Sequence, residues 1–328
     1  MPLALLDLGQ LSLWIASGDT VTWRSNFVKV GSTPSRESTE SQQFIEVSCG
    51  NVGLQAVQIV VIDGALNLWH TLLDSKGIWQ PDFRSIADQS AGGADSAEGY
   101  RRVSCAGAAD ALHVIGVSHD AGQLWHTFRA NSGGWQGRFG LVGSQSAGGP
   151  ARFADVACGS SDGQALQVVG LGTDGKLWHT YRAAGGAWQP AFAAVGNQSA
   201  GGPSGFAGVA ATGAQGVLHV VAVGSDQQLW HTTRGDNSVW QPTFGAIGSQ
   251  SSGGPGAYLA AACCIDDNWN LQVIGVGTDG KLYRTRRNVD GTWAPAFERV
   301  QSQVSGGPGF SMRAAIVRAA AHTFPWSG

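Results

Sequence analysis

Between residues 153 and 196, short apolar runs alternate with glycine-rich breaks, and each run has the length of a strand. Phe153-Ala-Asp-Val-Ala-Cys158 is small and apolar, and Gly159 to Gly163 interrupts it. Leu166-Gln-Val-Val-Gly-Leu171 follows, β-branched and apolar throughout. Runs of this length and composition, bounded by glycine, read as strands. Thr173-Asp174-Gly175 is a tight-turn signal, since Asp-Gly favours the positive φ angles of two-residue hairpins. Lys176 to Arg182 then alternates polar and apolar, Ala184-Gly-Gly186 makes another turn, and Trp188 to Val195 supplies a fourth run. Pro190 near its start marks it as an edge strand, because proline cannot donate to a ladder. The predicted unit is a four-stranded antiparallel meander with this last strand outermost.

The unit recurs. Leu177-Trp178-His179-Thr180 stands again at Leu68 to Thr71, Leu124 to Thr127 and Leu229 to Thr232, in altered form at Leu282-Tyr283-Arg284-Thr285, and in half at Leu13-Trp14. From Leu13 through Leu68, Leu124, Leu177 and Leu229 to Leu282 the steps are 55, 56, 53, 52 and 53 residues. A fixed period of this size is the signature of a repeat architecture. A second tryptophan follows each copy: Trp23, Trp79, Trp135, Trp188, Trp240 and Trp293. Connectors of the type Ser144-Gln-Ser-Ala-Gly-Gly-Pro150 separate the units. Residues 2–30 match strands two to four with no first strand before them, and residues 310–320 match a first strand. The expectation is therefore an all-β, six-bladed β-propeller of four-stranded antiparallel blades, the C-terminal strand completing the N-terminal blade. Such closure leaves no open edge. The blades run roughly over 310–328 with 1–30, 41–88, 97–143, 151–196, 204–248 and 256–300, as one domain over 1–328.

Composition narrows the function classes. Only 13% of the 328 residues are charged, the formal net charge is −3, and no Lys/Arg run occurs, which excludes an electrostatic nucleic-acid footprint. No run approaches the roughly 18 apolar residues of a membrane span, so no membrane insertion is expected. The five cysteines follow the repeat rather than a CxxC pattern, which points to free buried thiols and a reducing compartment. Asp7 interrupts the apolar start and no basic residue precedes it, so a signal peptide is not expected. The protein is expected in the cytoplasm, or released without a signal peptide.

The stretch Leu166 to Thr180, with a following tryptophan and a Ser-x-Gly-Gly connector, resembles the repeats of bacterial propeller lectins of the Photorhabdus lectin type. The resemblance covers essentially the whole chain. It implies a propeller that binds glycans at several equivalent pockets between blades, for fucose-type or O-methylated sugars. Lectins of that family usually have seven blades, where six are counted here.

Which residues carry binding is weighed against packing. Trp69, Trp125, Trp178 and Trp230 on the third strand read as seam packing, since large aromatics dominate cores. Trp79, Trp135, Trp188 and Trp240 start the outer strand and are the better sugar platforms, with Gln145, Ser146, Gln198, Ser199, Gln250 and Ser251 of the connectors as polar partners. His70, His126, His179 and His231 are too far apart to converge and face a polar series on strand two, Gln58, His113, Gln167, His219 and Gln272. A register-pinning hydrogen-bond pair is the simplest reading of each.

The innermost strand breaks the repeat. Its sixth position reads Cys49, Cys105, Cys158, Ala211, Cys263 and Ala315, small as a crowded axis requires. Its third reads Glu46, Arg102, Asp155, Gly208, Ala260 and Met312. Glu46 and Asp155 as acid and base, with Arg102 holding an anion and the inserted His119 nearby, make a single enzyme site at the channel mouth the alternative. An ion-pair cluster lining a wet channel is the plainer explanation of the same residues. Asp266-Asp267 alone is too little for calcium, which wants about six to eight oxygens. No cofactor or metal motif occurs. The first hypothesis is a multivalent glycan-binding lectin, the second that enzyme, the third a protein-interaction scaffold, with the oligomeric state left open.

Overall fold

In the computed structural model every apolar run of the repeat is a strand, and no helix occurs among the described residues. The structure describes residues 44–52, 56–74, 76, 78–80, 82–86, 99–143, 147–196, 198, 201–248, 250 and 252–300. It also describes the strands at 3–9, 12–18, 28–29 and 311–318, with side chains there at 313–317 alone.

Five four-stranded antiparallel sheets, each in sequence order, form blades 1 to 5 of a propeller, with inner strands Phe44–Asn51, Tyr100–Ala108, Phe153–Gly159, Phe206–Ala214 and Tyr258–Ile265. A further sheet is ordered Ser311–Arg318, Leu3–Gly9, Ser12–Gly18, Val28–Lys29, so that the last strand of the chain pairs with the first. The second strand, such as Leu166–Gly172, is buried at every position in blades 1, 2, 3 and 5. Both of its faces lie against neighbouring sheets, which is why it reads as continuously apolar rather than alternating. Each apolar cluster accordingly spans two sheets. Val60, Ile62 and Leu68 of blade 1 pack with Tyr100, Val103 and Leu112 of blade 2. Ile316 joins the cluster of blade 5, and Ala315 and Val317 join that of blade 1. Gly170 sits mid-strand because a Cβ there would lie 2.4 Å from the Phe153 ring.

Three local expectations are corrected. The outer strand is two residues, Ala193–Ala194 in blade 3, joined to a lone bridge between Arg182 and Trp188. Pro190, with no N–H to donate, falls in the bend between them. The Asp-Gly hairpin has a three-residue loop, with Gly172 N bonded to Lys176 O and only Gly175 at positive φ (74°). That is a turn closed by a left-handed glycine, the next most common hairpin type. Finally, Leu8 pairs with Arg313 and Leu5 with Ile316. The terminal strand is therefore one residue out of the assumed register: its third and sixth positions are Arg313 and Ile316, not Met312 and Ala315. The bulge between Leu8 and Gly9 stands where every other blade has one, as between Phe44 and Glu46, and a one-residue difference in register exchanges the faces assigned to all side chains.

Candidate functional site

The Leu-Trp-His-Thr strand divides its residues between two seams. Leucine, histidine and threonine are buried and the tryptophan is half-buried. The indole N–H of Trp69 donates to Asp63 (2.7 Å), that of Trp178 to Asp174 (3.3 Å) and that of Trp230 to Asp226 (3.2 Å). Apolar residues pack against these rings, so they are scaffold, as expected. Blade 2 carries the inserted His119 in this turn, and Trp125 Nε1 is buried with no hydrogen-bond partner among the described residues. His119 itself turns outward and bonds Asp120 at 2.8 Å. It does not join Glu46, Arg102 and Asp155, which removes it from the expected channel-mouth group.

On the opposite face the histidines pair with strand two. His70 Nε2 lies 3.0 Å from Gln58 Oε1 and His179 Nε2 lies 2.8 Å from Gln167 Oε1. In blades 2 and 4 the partner is a second imidazole: His113 Nδ1 to His126 Nε2 at 2.9 Å, and His219 Nδ1 to His231 Nε2 at 3.1 Å. His113 Nε2 faces the Ala108 carbonyl, so it carries the hydrogen, leaving Nδ1 to accept from His126. All six are held neutral. Burial, helped by an arginine, pushes His70 and His179 down to about 3 and His113 and His219 to about 4. Burial drives His126 and His231 well below the ordinary range, with the neighbouring imidazole adding to it.

The next blade covers this face with an indole. Trp135 meets His70 edge-on, with ring centroids 5.3 Å apart, and Trp188, Trp240 and Trp293 meet His126, His179 and His231 in the same way at 5.4 Å. The outer-strand tryptophans thus stand in the seams, half-buried, as a sugar platform would be. Trp79 packs on the cluster shared by blade 1 and the terminal strand. Trp135, Trp188, Trp240 and Trp293 are each bridged to an arginine of their own blade, Arg129, Arg182, Arg234 and Arg287, whereas Trp79 is bridged to Leu73. Those cations act on the histidines across the seam, and the Arg182 guanidinium also lies 5.8 Å from the Phe128 ring centroid.

Sequence reasoning missed the residue after each outer tryptophan. Gln80 N bonds Leu72 O and Gln136 N bonds Phe128 O, which sets these glutamines opposite Leu72 and Phe128. Leu72 and His70 are two apart on one strand, as are Phe128 and His126, so the glutamines share the histidine face. Gln80 Oε1 and Gln136 Oε1 are buried and have no hydrogen-bond partner among the described residues. The recurring pair Trp79-Gln80, Trp135-Gln136, Trp188-Gln189 and Trp240-Gln241 was the available signal, as was the arginine two places after each repeat threonine in blades 2 to 5. The seam therefore combines an indole, an arginine, an imidazole–amide or imidazole–imidazole pair and a buried amide acceptor. That is hydrogen-bonding and stacking equipment.

The connector glutamines do other work. Gln198 Oε1 accepts from Leu177 N (2.7 Å) while its Nε2 donates to Leu177 O (2.9 Å), and Gln250 does the same to Leu229 (2.6 and 2.9 Å). These amides extend the sheet by one rung and tie connector to third strand. Gln145, Ser146, Ser199 and Ser251 lie outside the described residues.

At the axis, Glu46, Arg102 and Asp155 do meet, and Arg313 joins them. Arg313 Nε lies 3.2 Å and Arg102 Nη1 3.5 Å from Glu46 Oε2, and Arg102 Nε lies 3.8 Å from Asp155 Oδ1. Asp155 also accepts from Val209 N of blade 4 at 3.3 Å. The charges run plus, minus, plus, minus around the mouth of a channel cavity of about 110 Å³, whose remaining sector is lined by Gly208 and Ala260. Burial raises both carboxyls above their ordinary values, against the pull of the two arginines. Deeper in, burial pushes the Cys105 and Cys263 thiols up to about 12, so they stay protonated. All five cysteines are free.

No family model and no curated protein matches the sequence. Among solved structures, AofleA from Arthrobotrys oligospora superposes with a TM-score of 0.60 at 14% identity, covering 94% of this chain and 84% of that one. The fungal lectin of Aleuria aurantia, described as a six-bladed β-propeller with a novel fucose recognition mode, gives 0.54 at 14% identity, over 83% and 82%. The BP39L lectin of Burkholderia pseudomallei gives 0.56 at 16% identity, over 90% and 95%. At these identities the likeness is one of fold: the chain shares its blade architecture with fungal and bacterial propellers, two of them lectins by name.

Proposed function

We propose that this chain is a multivalent glycan-binding lectin, a six-bladed ring that takes one sugar per seam between successive blades. One observation carries the reading: buried amide acceptors, Gln80 Oε1 and Gln136 Oε1, stand without a partner on the face that an indole of the next blade overhangs. Leaving a buried acceptor unmet costs roughly 1–3 kcal/mol, so its recurrence at one repeat position calls for a ligand that completes it. A sugar does so with a hydroxyl while its C–H face lies on the ring. Single sites of this kind are weak, and repetition at fixed spacing turns them into avidity on a multivalent surface. The solved propellers that superpose on this chain include one reported with a novel fucose recognition mode and one in complex with α-methyl fucoside, which favours fucose-type sugars. O-methylated sugars fit the same platform through the added apolar group. Calorimetry with methyl α-L-fucoside and an O-methylated fucoside tests the reading, with several equivalents per chain expected. A single equivalent, or no heat with either sugar and a blank glycan array, refutes it. The enzyme alternative has less behind it, because the carboxylates of Glu46 and Asp155 are engaged by Arg313, Arg102 and a backbone N–H.

A further inference from the structure

Blade 5 departs from the repeat at three positions that line one cavity. Where blades 1 to 4 have histidine it has Arg284. Where they have Leu72, Phe128, Tyr181 and Thr233 it has Arg286, and where they have glutamine after the outer tryptophan it has Ala294. The register sets these side by side. Gln272 pairs with Arg286, Arg284 pairs with Glu298, and Ala294 N bonds Arg286 O, so all five lie on the face that carries histidine elsewhere. Together with Thr285 and Ala296 they line a cavity of about 310 Å³, within the range of small-ligand sites.

The chemistry of that cavity is cationic. Arg284 is bridged to Glu298, a carboxylate whose side chain is 68% exposed. Arg286 Nε is buried and has no hydrogen-bond partner among the described residues. Gln272, which also lines the cavity, donates its amide Nε2 to Asp266 Oδ2 at 2.8 Å, so that of its amide only Oε1 is left to meet a ligand. Shortening glutamine to Ala294 removes bulk from the same wall. Two guanidiniums against one solvated carboxylate make a site for an oxyanion, since the planar fork matches carboxylate and sulfate geometry.

We propose that this face of blade 5 is a separate subsite for an acidic sugar, a pyranose bearing a carboxylate or a sulfate. The proposal rests on the seam reading for its sugar class. It differs in predicting one acidic site per chain whose affinity falls with salt.

The test uses the whole chain and a double variant, Arg284→His with Arg286→Thr, which restores residues that blade 4 already carries at those positions. Methyl β-D-glucuronide, galactose 6-sulfate, methyl β-D-glucoside and sodium sulfate are titrated by calorimetry. The expected result is one equivalent of an acidic sugar, none of the neutral glucoside, and a roughly tenfold or greater loss of affinity in the double variant, as the charge-assisted bonds require. Raising ionic strength weakens binding further. Preference between glucuronide and sulfated galactose distinguishes a carboxylate site from a sulfate site. Failure of both acidic sugars to bind, equal binding by the double variant, or inorganic sulfate binding as tightly as either sugar overturns the proposal. Methyl α-L-fucoside titrated in parallel separates the two readings: fucoside bound without glucuronide or sulfated galactose sinks only the subsite, and an acidic sugar bound without fucoside sinks only the neutral seam sites.

Discussion

Acid should unfold this protein through its seams, and replacing single imidazoles should blunt the effect. Six seam histidines, five buried and His219 half-buried, are neutral in the folded chain, four of them titrating near 3 to 4 against an ordinary 6.5. Below pH about 6.5 the unfolded chain binds protons that the folded chain refuses, so stability is intact above that value and falls as pH drops toward the folded values. At about pH 5, some 1.5 units below the ordinary pKa, each such group costs roughly 2 kcal/mol. The four together cost about 8 kcal/mol, comparable with the whole stability of a typical domain. Glu46 and Asp155, raised by burial, act with the opposite sign. The perturbation is His113→Gln, which converts the His113–His126 pair into the Gln–His pair that blade 1 already uses at Gln58 and His70. His126 and its edge contact with Trp188 remain. Urea unfolding followed by tryptophan fluorescence, at about pH 7.5, 6 and 5, should show the loss between the extremes shrink by roughly 2 kcal/mol in His113→Gln, and by about 4 with His219→Gln added. A wild-type stability that is flat across this range, or a variant with an unchanged pH slope, refutes the reasoning.

Gln136→Leu removes a buried acceptor that has no protein partner, so stability should move by less than about 1 kcal/mol while the number of bound sugars falls; a large stability loss with binding intact would make it scaffold. Gln250→Ala leaves the N–H and C=O of Leu229 without their side-chain partner and should cost about 2–4 kcal/mol, read by urea unfolding, with sugar stoichiometry retained at the remaining seams. Glu46→Gln removes the carboxylate that Arg313 and Arg102 share and should cost about 2 kcal/mol, discounted for the partial exposure of both arginines; unchanged glycan binding in this variant is expected, and its loss would move the site to the axis.

Much of the fold was legible because the repeat compares the chain with itself. Leu177-Trp178-His179-Thr180 placed the third strand, and the small residues at Cys49, Cys105 and Cys158 placed the inner one. Offsets and bond partners were less legible. Phe310 looks like the aromatic that opens the other inner strands, Phe44, Tyr100, Phe153, Phe206 and Tyr258, yet Ser311 stands opposite Gly9 as Phe44 stands opposite Asp63. That single step hid Arg313, the fourth charge of the axial cluster. Gln198 looked like a free polar group because a glutamine that completes a backbone rung and one that meets a ligand have the same letter. Gln136 was overlooked for the converse reason: its meaning lies in an unmet oxygen, visible only once its neighbours are in place.

The two kinds of departure from the repeat now separate by radius. Near the axis the irregular residues answer one another: Arg313, Glu46, Arg102 and Asp155 complete a chain of alternating charge and link the terminal strand to blades 1 to 4. Variation there is mutual compensation, and removing one member exposes its neighbours. In the seams the frame is constant, with indole, arginine and paired polar groups, while the residue between the pair and the outer glutamine changes from Leu72 to Phe128, Tyr181 and Thr233 and then to Arg286. Its cross-strand partner alternates between glutamine and histidine over blades 1 to 4, as Gln58, His113, Gln167 and His219, and in blade 5 Arg286 faces Gln272 and comes with Arg284 and Ala294. Scaffold demands are alike in every blade, so four different side chains set opposite only glutamine or histidine are what sites graded toward different sugars would produce. A protein built this way would gain avidity from the shared frame and breadth from that one position.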